Sequence, residues 1–244
     1  GLHKLLIYFP DRLGTLLSAR KKSLVSRVGD LCLIVAFSGI YTIYGVQDFG
    51  HIFEAVRFEG SLLGNHAWIG WLIIFSAILK SAQFPFHALL PDTMGAPTPV
   101  SALMQAGIIN GGGYLVVRLS PVLVHIPSAL HMLAIVGAVT AVYASMVMLS
   151  QTSVKRALAY STIAQMGFML LQCGLGAFHL AVLHLVAHSL YKGHAYLSCG
   201  SAVEIAKKLN AKPHYAKLRP SRIWLAIGVS FAIVFVLSIP FNVS

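Results

Sequence analysis

Residues 80–118 read KSAQFPFHALLPDTMGAPTPVSALMQAGIINGGGYLVVR. Lys80 closes an apolar run that begins near Ala67. Four prolines follow (Pro85, Pro91, Pro97, Pro99), and a second apolar run then carries Gln105 and Asn110. In hydrocarbon a lone charge and an unbonded stretch of backbone are both costly, so neither persists without a partner or a cavity. The pattern predicts an apolar helix that breaks around Pro85, with a site at the break.

Composition sets the class. The chain is 57% hydrophobic and 10% charged, with mean hydropathy +0.77, far from the roughly 25% charged residues of a soluble domain. It reads as an all-α, polytopic bundle of transmembrane helices. We expect one transmembrane domain over residues 1–244, with complete spans at 24–45, 67–90, 98–118, 130–149, 157–175, 177–203 and 223–239. Each is close to the ~20 residues that cross ~30 Å of hydrocarbon. The opening GLHKLLIYF has no methionine and resembles the last turns of a helix, so a segment of a longer subunit is expected.

The basic residues test that topology. Thirteen Lys and Arg fall in or beside the loops at 8–23, 150–156 and 204–222, whereas only Arg57 and Arg118 fall on the opposite side. Such asymmetry supports the span count and orients the basic loops to the cytoplasm. It also accounts for the net charge of +11 without nucleic acid. Cys32, Cys173 and Cys199 sit singly in apolar runs and read as small hydrophobes.

The ionisable residues inside the spans carry the functional signal. Besides Lys80, the stretch HLAVLHLVAHSLYKGHAYL sets His184, His188 and Lys192 four residues apart, on one helical face. One such histidine is more often a packed interior residue; three titratable groups in register point to proton exchange. His194 lies off that face. Imidazole titrates near neutrality, and an ammonium is costly to keep charged in an apolar setting, so both residue types can pass protons. Ser81, Gln83, Gln105, Asn110 and Ser161 are the polar, water-lining candidates between them.

Three motifs in order, KSAQFPFHALLPDTMGAPTPVSAL, VKRALAYSTIAQMGFMLL and HLVAHSLYKGHAYLSCGS, resemble the proton-conducting antiporter-like membrane subunits. That family includes the large membrane-arm subunits of respiratory NADH–quinone oxidoreductase and the Mrp-type sodium/proton antiporters. The resemblance implies that Lys80 is the central lysine on the broken helix and that Lys155 is the lysine before the LAYST segment. It likewise implies that His184, His188 and Lys192 form the row between two half-channels. The family's glutamate partner for the central lysine belongs to the preceding helix, and the stub ending at Phe9 holds no glutamate.

Gln105 stands where respiratory and antiporter relatives carry a histidine, which puts a relay through that position in question. With GIINGGG and SLYKGHAYLSCGS, it makes the chain most similar to DabB, the membrane subunit of inorganic carbon accumulation systems. That likeness implies a cation-conducting, energy-coupling subunit in a bacterial inner membrane. It implies a large soluble DabA-like partner holding zinc, and no cofactor in this chain. The alternatives are a respiratory proton pump or an Mrp-type antiporter subunit.

Other chemistries fit poorly. His184 and His188 share one helix, which suits neither a haem between facing helices nor a metalloprotease zinc site. Gly107, Gly111, Gly112 and Gly113 suit close helix packing better than phosphate binding. No nucleotide loop or catalytic triad is present, and no covalent catalysis is expected of this chain.

Overall fold

A computed structural model describes residues 13–45, 48–59 and 65–209. The expected stub ending at Phe9 and the expected span at 223–239 lie outside the described residues. The chain divides into a unit at Gly1–Val203 and a second at Glu204–Ser244, of which the end of one helix is described.

The described residues form helices joined by turns: α1 (Leu13–Tyr44), α2 (Phe49–Glu59) and α3 (Trp68–Lys80). Two 3-10 turns follow (Phe86–Leu89 and Pro91–Gly95), then α4 (Thr98–Ala106), a further 3-10 turn (Ile108–Asn110), α5 (Gly111–Arg118) and the short α6 (Ser120–Leu123). The series ends with α7 (Pro127–Leu149), α8 (Val154–Gly174) and α9 (Phe178–Leu209). No strand occurs among the described residues.

The stretch 8–23, expected as a basic loop, is helical from Leu13. From Leu13 on, its run of Leu, Ala, Arg and Lys favours helix, and no proline follows Pro10 to interrupt it. The break also comes earlier than expected: α3 ends at Lys80, where the sequence suggested a span to residue 90.

Three described helices are long and apolar enough to cross a membrane, Leu16–Tyr44, Thr98–Arg118 and Pro127–Leu149; the apolar helix Trp68–Lys80 is shorter. At ~1.5 Å per residue, α3 reaches only ~20 Å of the ~30 Å hydrocarbon layer. α8 and α9 are long enough to span, but their lysines, glutamines and histidines lower their hydropathy.

Small residues draw the helices together. The hairpin of α7 and α8 is an extensive pairing among the described residues. A Cβ on Gly137 would stand 2.6 Å from the carbonyl oxygen of Gly167, and one on Gly174 would stand 2.5 Å from the amide of Ala134. This is the close backbone approach that holds helices together in lipid, where the hydrophobic effect offers little. α1 runs antiparallel to α3, Gly29 facing Ser76 and Leu79, Gly39 facing Trp68. On the outward side of α7, Ile135, Val139, Val142 and Met146 are 48–68% exposed, as suits a face turned to acyl chains.

At the end opposite the break, Asp48 Oδ2 accepts from the Gly50 amide at 2.9 Å and starts α2. Ile52 and Val56 are buried, and the Arg118 guanidinium lies 5.5 and 5.4 Å from the Phe49 and Phe53 ring centres. Arg118 thus ties the end of α5 to α2.

Candidate functional site

Lys80 is the last residue of α3. Beyond it the backbone turns through Ala82 at φ +50°, a left-handed conformation that costs a non-glycine residue about 1–2 kcal/mol. The Ser81 amide donates to the Ala77 carbonyl at 2.9 Å and the Gln83 amide to the Ile78 carbonyl at 3.1 Å, which closes the helix in the Schellman manner. Its terminal carbonyls therefore converge beside Lys80, where a cation is favoured by the helix dipole.

The rest of the break is held by α7. The Phe84 amide donates to Thr140 Oγ1 at 3.1 Å, and Thr140 donates to the Val136 carbonyl at 2.7 Å. His87 stacks on Phe84 and meets the Tyr143 ring at 4.8 Å. Thr140 is fully buried and replaces the helical hydrogen bond that the break removes.

Lys80 Nζ donates to Asp30 Oδ1 at 2.5 Å, and the two side chains are 24% and 41% exposed. Asp30 was not among the sequence candidates. It lies 50 residues away in sequence and is brought opposite Lys80 by the packing of Gly29 on Ser76 and Leu79. The signal that could have found it is an acid inside an apolar span, which calls for a basic partner at the same depth.

The second group lies on α9. Lys192 is fully buried, with Nζ 2.9 Å from Ser161 Oγ and 3.2 Å from the Leu158 carbonyl, both on α8. His184 Nδ1 is 3.1 Å from Gln172 Oε1, and its ring centre lies 6.2 Å from that of His188. His184 and His188 therefore adjoin on α9, two turns and one turn before Lys192. His188 is buried, and neither of its ring nitrogens has a hydrogen-bond partner among the described residues.

Further buried polar residues lie on α4 (Gln105), on the 3-10 turn before α5 (Asn110) and on the turn after Lys80 (Gln83). Asn110 Nδ2 donates to Ser189 Oγ at 2.7 Å and to the Ala106 carbonyl at 2.8 Å, which joins the α4–α5 break to α9. Gly112 packs on Ser81 Oγ, so α5 also touches the turn after Lys80. Gln83 donates from Nε2 to the Ser81 carbonyl at 2.9 Å. Both side-chain atoms of Gln105, Asn110 Oδ1 and Gln83 Oε1 are buried without protein partners among the described residues.

Lys155 does not join this assembly. It is half-buried at the start of α8, and its Nζ is 3.4 Å from the Ala96 carbonyl, at the end of the Pro-studded segment. Among the described residues no group of three or more His, Cys, Asp and Glu could hold a metal ion.

The family model "NADH:quinone oxidoreductase/Mrp antiporter, TM" matches residues 2–243. The "Probable inorganic carbon transporter subunit DabB1" of Halothiobacillus neapolitanus is 48% identical over 192 residues, covering 77% of this chain and 34% of that protein. The "Probable inorganic carbon transporter subunit DabB" of Hydrogenovibrio crunogenus is 45% identical over 208 residues, 85% of this chain and 40% of that one. The chloroplastic NAD(P)H-quinone oxidoreductase subunit 5 of Capsella bursa-pastoris is 37% identical over 193 residues, 76% of this chain and 26% of that one. The chain thus spans about two-fifths or less of the length of these relatives.

Among solved structures, the Mrp complex of Dietzia superposes with TM-score 0.77 at 31% identity, over 91% of this chain and 24% of that one. An all-α, multi-pass membrane architecture agrees with these likenesses, and its broken helix ends at Lys80, ahead of Pro85. The chain belongs to the NADH:quinone oxidoreductase/Mrp antiporter transmembrane family.

Proposed function

We propose that this chain is part of a proton-conducting, energy-coupling membrane subunit of an inorganic carbon accumulation complex. The observation that carries the reading is the Lys80–Asp30 ion pair at 2.5 Å, set at the end of a broken apolar helix. When the pair is closed, Asp30 stabilises a protonated Lys80. When it opens, the ammonium at membrane depth loses its counter-ion and is driven to release its proton.

The receiving side is the row of Lys192, His188 and His184, reached past Gln83, Gln105 and Asn110. Buried polar atoms in native proteins are paired with protein or water. The orphaned atoms of Gln105, Asn110, Gln83 and His188 therefore mark where water bridges the two groups. Gln105 serves in that row as a water holder, since an amide does not titrate. Ser161 steadies Lys192, and Lys155 holds the Pro-studded segment against α8.

The carbon branch is supported by the 45–48% identity to the DabB proteins. By that likeness the partner is a large soluble DabA-like subunit that holds zinc, and this chain carries no cofactor. The basic loops face the cytoplasm and the complex sits in a bacterial inner membrane. A second reading, a subunit of a respiratory oxidoreductase or an Mrp-type antiporter, is supported by the Dietzia superposition and the chloroplastic relative.

The test is rescue of a strain lacking carbonic anhydrase by the full-length subunit with its partner. Lys80→Ala is expected to abolish CO2-dependent growth while the complex still assembles; full rescue by that variant contradicts the reading. Co-purification with flavin and iron–sulfur subunits in place of a zinc protein would favour the respiratory alternative.

A further inference from the structure

We propose that Lys22 is a second proton-exchanging lysine, lying between the basic end of the bundle and the Lys80–Asp30 pair; this rests on the function proposed above. Lys22 belongs to the stretch that the sequence suggested as a solvated loop, yet it is only 5% exposed. Its neighbour Lys21 behaves as a surface lysine: its side chain is 64% exposed and lies 3.9 Å from Asp92 Oδ2.

The placement of Lys22 follows from the α1 stripe. Ala19, Lys22, Gly29 and Ala36 are buried, spaced three or seven residues apart, and so face α3. Gly29 lies against Ser76 and Leu79, and the two helices run antiparallel. Two turns toward the start of α1, that register sets Lys22 level with the break, where α1 packs on both 3-10 turns. That break begins directly after Lys80.

No carboxylate among the described residues lies within ion-pair distance of Lys22. The titratable groups on the elements packed against it are Lys80 of α3, His87 of the first 3-10 turn and Asp92 of the second, with Asp30 on its own helix. A stem lying along an apolar surface with its head in water would be the ordinary arrangement for such a lysine. A buried head with no carboxylate partner, level with a break that follows a second lysine, is not, because two like charges at low dielectric destabilise each other.

That repulsion gives the step its direction. Once Lys80 has passed its proton toward the α9 row, its amine is neutral. An N–H bond of the Lys22 ammonium then breaks, and a new one forms on Lys80 Nζ, with water as carrier. One positive charge moves inward, and Lys22 regains a proton from water at the basic end. Both lysines charged together is the least stable arrangement, so loading Lys22 weakens the hold of Asp30 on Lys80.

The experiment measures dye-reported proton uptake by the full-length complex in proteoliposomes, with assembly checked by gel filtration. Lys22→Met removes the charge; Lys22→Arg keeps it but releases no proton. Both are expected to slow uptake by about a hundredfold, and Lys22→His, which titrates, is expected to recover part of it. Uptake at the unmodified rate in Lys22→Met or Lys22→Arg, alongside a silent Lys80→Ala, overturns the role of Lys22 and leaves the central reading intact. Unimpaired uptake in Lys80→Ala overturns the reading on which it rests. Failure of all three Lys22 variants to assemble makes the residue a packing element and also overturns the proposal.

Discussion

Lys80 Nζ and Asp30 Oδ1 stand 2.5 Å apart, joining the last residue of α3 to the interior of α1. The two side chains are 24% and 41% exposed, and disrupting a fully buried pair costs about 3–5 kcal/mol. Asp30→Asn keeps the shape and removes the charge. It is expected to leave the complex assembled on gel filtration and to eliminate proton uptake in proteoliposomes, whereas Asp30→Glu keeps a measurable fraction.

Lys192 draws its hydrogen bonds from α8, through Ser161 Oγ and the Leu158 carbonyl. Ser161→Ala removes one bond from a buried ammonium, worth about 1.5–3 kcal/mol. Uptake is expected to fall severalfold, and Ser161→Thr to restore it. Equal rates in the alanine variant and the parent would separate Lys192 from the path.

Gln105 and His188 are buried with orphaned polar atoms, the condition under which water is held. Gln105→Leu has a similar volume and cannot hold water. Uptake is expected to drop at least as far as in Ser161→Ala, without loss of thermal stability in detergent. A leucine variant with the parent's rate would show that the path avoids this position.

Ala82 holds φ +50° in the turn after Lys80, which glycine adopts without penalty. Ala82→Gly is expected to raise the melting temperature of the complex or leave it unchanged, with uptake preserved. Ala82→Val is expected to lower both. A valine variant as stable as the parent would mean that the turn is not a fixed feature of the break.

Several of these features were legible in the residues alone. A lysine ending an apolar run before four prolines marks a broken helix, and a four-residue spacing puts His184, His188 and Lys192 on one face whatever the helix packs against. Pairing across helices was not legible. Asp30 meets Lys80 where Gly29 lets α1 approach α3, and Thr140 meets the freed Phe84 amide from another helix; no local pattern records which helices pack together. Lys22 shows the same gap in another form. A basic run reads as solvated, while the heptad of small residues that buries one of its lysines becomes visible only once α1 is seen to begin at Leu13.

The central claim, that Lys80 carries the conducted proton, is tested most directly by flux through the purified full-length complex in proteoliposomes under an imposed membrane potential. The account predicts that Lys80→Ala assembles normally and takes up protons no faster than protein-free vesicles. Uptake by Lys80→Ala at the parent's rate would contradict it.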